Sequence, residues 1–224
     1  MLGDPLSDEW SDSNNYDFQY EIDRIVVMLS LEVYKCFCEW IGGILIENTI
    51  PKLVLDKTAC FLTFNYTSTL EDSYDIHNEQ ILHIHGETNN PRNPIVIGHN
   101  YAFSPTEYFG QVTDEHDPRI IQAKASISQY FKSTIKPIDQ VIADNAGFFT
   151  SLHSVKQICI LGHSLSIVDY PYFQEIAKHI NIASVNWEFS YYDEEDKNVF
   201  REFAVKVGID PCNTTVFKLE ELSE

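Results

Sequence analysis

Three apolar runs in this chain each end in a polar tip: FLTFNYTSTLE at 61–71, QILHIHGE at 80–87 and QICILGHSLSIVDYPYF at 157–173. Each reads as a buried strand that delivers Asn, His or Gly-His-Ser to its C-terminal end. In open α/β sheets, strand tips and helix N-termini converge on a crevice at that end, and ligands bind there. Three such tips within one sheet-sized span predict a shared site.

The rest of the chain supplies helices between the strands. Ile22, Ile25, Val26, Leu29, Val33, Phe37, Trp40, Ile41, Ile44 and Leu45 recur at helical spacing, which predicts a long amphipathic helix broken at Gly42-Gly43. Residues 1–20 lack periodicity and read as a mobile acidic arm, with a single α/β domain over 21–224. Pro94–Gly98 reads as a short strand. Helices are expected from about Pro118 to Tyr130, after Pro137, and from Asp169 with Pro171 in its first turn. Val155–Leu161 has the near-continuous apolarity of a sheet centre covered on both faces. Val185–Tyr192 alternates as a strand, an acid-headed helix runs from 193 to about Val207, and Thr214–Lys218 is an edge strand. Strands alternating with helices predict a doubly wound, mainly parallel, Rossmann-like sheet. No G-x-G-x-x-G turn is present to cradle a pyrophosphate.

Charge narrows the function classes. Fifteen Lys and Arg against 34 Asp and Glu give a formal charge of −19. Such a surface repels phosphate backbones, so a nucleic-acid partner is not expected. The five cysteines show no C-x-x-C spacing, and their odd number fits a reducing compartment. The polar, acidic first residues do not resemble a secretory signal, and no apolar run reaches the roughly 18 residues of a membrane span. The expectation is a cytoplasmic protein without a membrane partner.

Each candidate site residue has two readings. Asn65 either orients a ribose hydroxyl or a water, or closes its strand as an Asx turn. His85 suits general-base work near neutrality, or is a packed imidazole hydrogen-bonded to backbone before the turn at Gly86. Strand alternation puts His83 on the same face, one pleat deeper. Gly98, and Gly162 with His163 and Ser164, stand at strand-to-turn junctions where backbone can approach a ligand. Ser166 occupies the second Gly position of a hydrolase G-x-S-x-G elbow, so a serine hydrolase is a poor reading. Asp169 either contacts ribose or His85, or caps the helix that follows it. The two histidines have no carboxylate or third ligand at recognisable spacing, so no metal is expected. With that absence and the charge, a nuclease is disfavoured.

Phe64-Asn65-Tyr66-Thr67 with Leu70-Glu71, His83-Ile84-His85-Gly86, Gly162-His163-Ser164-Leu165 followed by Asp169 and Tyr172-Phe173, and Trp187–Tyr192 together resemble the AbiH family of bacteriophage abortive-infection proteins. The likeness runs from about Ile25 to Phe203. More distantly, the skeleton is similar to sirtuin-like NAD-consuming domains, in which an Asn-Tyr-Asp tip, a His-Gly tip and a Gly-x-Ser…Asp turn line the nicotinamide-riboside pocket. Thr67 stands where that pattern has Asp. The resemblance implies an anti-phage protein with NAD as substrate or ligand. Asn65 and His85 would be catalytic, and Gly86, Gly98, Gly162, His163, Ser164 and Asp169 would bind the nucleotide. The similar families open with a strand and a Gly-Asn-Gly turn, which nothing before Glu21 matches. An amino-truncated relative, or another segment filling that slot, is therefore expected, with a homo-oligomer or second protein covering the exposed edge. The alternative is an inactive nucleotide- or partner-binding module.

Overall fold

Parallel pairing is what the apolar runs achieve. The computed structural model describes residues 15–46, 50–88, 90–101, 104 and 118–222. The chain divides into two compact units, 1–44 with 88–136, and 45–87 with 137–224. Residues 1–14 of the expected arm lie outside the described residues.

The second unit holds the strands. β1 (Phe61–Thr63) pairs in parallel with β2 (Ile81–His83), Phe61 opposite Ile81 and Thr63 opposite His83. β3 (Gln157–Ile160), β4 (Asn186–Tyr191) and β5 (Thr214–Lys218) form a second parallel sheet in that order. Parallel neighbours need crossovers. The short helix α3 (Thr69–Asp72) lies between β1 and β2, and α5 (Ile138–Asp144) and α6 (Ala146–Ser151) lead into β3. α7 (Tyr170–His179) links β3 to β4, and α8 (Asp196–Val207) links β4 to β5. The result is a mixed α/β fold with two small parallel sheets.

β4, not β3, is the central strand. Trp187 and Phe189 are fully buried, with their rings stacked 6.3 Å apart. Phe189 also packs on Phe200 at 5.1 Å, and Phe203 meets Phe173 at 4.9 Å, which fastens α8 and α7 to the sheet. In β3 only Ile160 is buried, while Gln157 and Cys159 are exposed. The apolarity of 155–161 overstates its cover, because β3 pairs only with β4 among the described residues. α8 stops at Gly208, whose φ of 84° suits the left-handed cap, with its amide donating to Ala204 O at 2.9 Å.

The first unit is helical. The predicted long helix starts at Asn15: α1 (Asn15–Val27) continues through a π-helical segment, Met28–Glu32, into α2 (Val33–Gly42). α4 (Pro118–Ser133) packs beside α1, where Gln19 Nε2 donates to Ser126 Oγ at 2.9 Å and Ser126 Oγ to Asp23 Oδ1 at 2.9 Å. The strand expected at 94–98 does not form. Pro94 has no amide to donate, and only His99 bridges, in parallel, to Ile135. Among the described residues no helix is long and apolar enough to cross a membrane.

Cys159 faces Glu188 across the β3–β4 register. Partial burial, then the Glu188 carboxylate, push its thiol up to about 11. At pH 8 its alkylation by iodoacetamide is expected to lag an ordinary thiol, of pKa about 8.5, by about 100-fold. Glu188→Gln should narrow the gap, read by peptide mass spectrometry.

Candidate functional site

The tips of β1, β2 and β3 meet around one aromatic ring. Phe64, just past β1, lies 5.3 Å from the His85 ring, 4.3 Å from His163, 5.9 Å from Tyr172 and 5.7 Å from Phe173, centroid to centroid. Ile84 N–H donates to Thr63 O at 3.1 Å, extending the β1–β2 ladder one step. The chain then turns, Gly86 N–H donating to His83 O at 3.1 Å, and Gly86 adopts a φ of 80° that the turn requires.

The strand ends at His83, so period-two alternation stops there and the two histidines have different neighbours. His85, 3% exposed, is enclosed by Phe64, Tyr66 and Tyr172. Its Nε2 lies 3.4 Å from Asp169 Oδ1, and His163 Nε2 lies 3.6 Å from Asp169 Oδ2. Asp169 occupies the N-cap position of α7, yet its carboxylate makes no capping bond. It stands between two imidazoles instead. Leu165 N–H donates to His163 Nδ1 at 2.8 Å, so the neutral ring carries its proton on Nε2, the atom nearest the carboxylate. Leu165 is held at a φ of 50°, a left-handed conformation rare for a residue with a branched side chain. Strain of this kind concentrates at ligand sites.

Asn65 is exposed at the β1 tip, its amide donating to Thr63 Oγ1 at 3.1 Å and its carbonyl meeting His83 Nδ1 at 3.1 Å. Gly162 has a φ of 59°, with its amide donating to Ser190 Oγ at 2.9 Å, and Ser164 is exposed on the same turn. Gly98 belongs to the first unit. A Cβ there would lie 2.3 Å from Thr134 O, so the glycine permits a close backbone approach beside the His99–Ile135 bridge.

Sequence reasoning missed two features. Tyr172 is fully buried with a hydroxyl that, among the described residues, has no hydrogen-bond partner. Burial, then the nearby Asp169 and Tyr66, push its phenol up to about 12. At helical spacing it read as core, and nothing in the sequence placed its hydroxyl beside Asp169. The second feature corrects the expectation of no metal. Glu71, His83 and Glu87 bring three ligand atoms within 4.8 Å of one another. The carboxylates were overlooked because α3 folds Glu71 back onto β2, and because the turn after His83 returns Glu87. A carboxylate four residues after a strand-end histidine was the available signal.

If the Tyr172 hydroxyl is an orphan in the free protein, Tyr172→Phe should stabilise the fold by on the order of 1 kcal/mol, the low end of the cost of an unpaired buried polar group. Urea unfolding measures this. A loss of stability would show that the hydroxyl has a partner in solution.

No curated protein and no solved structure matches the chain. A family model does: that of bacteriophage abortive infection AbiH, over residues 1–191. The motifs at the three strand tips fall inside that span, and the chain belongs to the AbiH family of bacteriophage abortive-infection proteins.

Proposed function

We propose that the second unit binds NAD at the strand tips and cleaves its nicotinamide–ribose bond, so that loss of a shared cofactor serves phage defence. The observation that carries this reading is the Asp169 carboxylate, turned away from its helix cap toward His85 and His163. In the proposed reaction the C–N bond breaks toward neutral nicotinamide, water oxygen bonds to C1′ of the ribose, and the water proton passes to His85. Asp169 stabilises the imidazolium so formed. Asn65 orients the water or a ribose hydroxyl. Gly86, Gly162, His163 and Ser164 line the nucleotide side, and the Tyr172 hydroxyl is an unused donor near it. The finer architecture belongs to the same proposal: the two parallel sheets, joined through crossover helices, act as parts of one doubly wound, sirtuin-like sheet.

One observation favours the second reading, an inactive nucleotide- or partner-binding module. Among the described residues β1–β2 and β3–β5 remain separate sheets. The exposed Gln157 and Cys159 on β3 would then mark an edge for a second protein or a second copy.

Purified protein incubated with NAD and assayed chromatographically for free nicotinamide separates the two. His85→Gln is the informative variant, because alanine would leave a cavity among Phe64, Tyr66 and Tyr172. It should lower turnover by about 10²–10⁴-fold, whereas His83 variants should act mainly through stability. Equal rates for wild type and His85→Gln would remove the catalytic assignment. No turnover by folded wild type would leave the binding module.

A further inference from the structure

We propose that Glu71, His83 and Glu87 form a binding site for one divalent transition cation of the zinc or manganese type, which braces the β1 and β2 tips. His83 Nδ1 lies 3.1 Å from Asn65 O, a carbonyl that only accepts, so Nδ1 carries the proton. On a neutral ring Nε2 is then a bare lone pair, and it faces Glu71 Oε1 at 2.8 Å. Two lone pairs do not approach so closely without a proton or a cation to share. The His83 side chain is only 5% exposed. Glu71 Oε2 is also buried and, among the described residues, has no hydrogen-bond partner. A proton between Nε2 and Oε1 would leave that second oxygen unsatisfied, whereas a cation can take Nε2 and either carboxylate oxygen.

The donor set fits the assignment. Imidazole suits zinc, carboxylate oxygens suit manganese, and zinc accepts both. A metal-bound histidine commonly donates its other ring N–H to a backbone carbonyl, the bond His83 makes to Asn65. An ion–ligand distance of about 2.0–2.2 Å requires Glu71 Oε1 and His83 Nε2 to part slightly from their present separation. Glu71 also lines a surface cleft with Asp75, Ile76, His77, Asn78 and Glu79, which gives an ion a route in. With three protein ligands, water completes the coordination. The ion would hold His83, and through it the Asn65 carbonyl, in place. This inference does not depend on NAD chemistry, since a site of this kind binds metal whether or not the pocket turns over.

The test uses the full chain stripped with EDTA and titrated separately with Zn²⁺ and Mn²⁺, by calorimetry, thermal melting and metal analysis after gel filtration. One ion per chain and a raised Tm are expected for at least one of the two metals. Glu71→Gln and Glu87→Gln should each weaken binding by at least about tenfold, while Asp139→Asn, an exposed carboxylate on α5, leaves it unchanged. Glu87 is half-buried, so its variant keeps the test decisive if Glu71→Gln fails to fold by circular dichroism. Absence of stoichiometric binding in folded wild type would overturn the proposal, as would unchanged affinity in the folded Glu variants. A failed NAD assay would leave it standing.

Discussion

The Phe64 ring is the joint on which the second unit turns. β1–β2 and β3–β5 share no strand pairing among the described residues, so backbone hydrogen bonds do not hold one sheet to the other. Side-chain packing does. Phe64 touches His85 from the β2 turn, His163 from the turn after β3, and Tyr172 and Phe173 from α7. One residue thereby fixes three strand tips, and aromatic pairs of this kind contribute about 0.5–1.5 kcal/mol each beyond the area they bury. The convergence of polar groups follows from this apolar contact. Asp169 reaches both histidines because α7 is pressed onto Phe64 through Tyr172 and Phe173.

Two polar constellations grow from His83, the last residue of β2, and from His85 in the turn that follows it. His83 looks to Asn65 and Glu71, and His85 looks to Asp169. They are coupled through the backbone: the turn that separates the histidines is closed by Gly86 N–H on His83 O, and the β1 tip is held by His83 on Asn65 O. A change at His83 therefore acts on both Asn65 and the orientation of the His85 turn. This is why Asn65, exposed and with its carbonyl already engaged, depends on a residue outside the cluster around Asp169.

Much of this was legible in the sequence, for identifiable reasons. The strand tips at Asn65, His85 and Gly162 were visible because apolar runs end abruptly there, and α7 was visible from Asp169, Pro171 and the stripe through Phe173 and Ile176. The family signature was carried by the same tips. What could not be read was contact across long separations. The capping reading of Asp169 was locally sound, and only the tertiary placement of His85 and His163 redirects its carboxylate. Alternation put His83 and His85 on one face because it assumes a strand that continues, whereas β2 ends at His83. Glu71 lies twelve residues before His83, on a helix of a single turn, a separation at which periodicity is silent. The 94–98 segment is apolar enough for a strand, but Pro94 has no amide to pair, and the bridge to Ile135 is made by His99 beyond it.

The π-helical segment at Met28–Glu32 has a consequence for how this chain tolerates insertions and deletions. A π turn takes up one extra residue relative to an α turn, and each residue in an α-helix advances the face by about 100°. Upstream of it, Gln19 and Asp23 meet Ser126 on α4, and downstream Tyr34 donates its hydroxyl to Ile95 O at 3.1 Å. The wide turn absorbs a residue that would otherwise rotate the downstream face by that angle. Removing one residue from 28–32 would restore regular α-helix with the two anchors nearly in phase, whereas regularising the segment at its present length would rotate one anchor by about 100° relative to the other. The wide turn thus sets the phase between the two anchors, and the chain tolerates a change of length there better than a change of helix type.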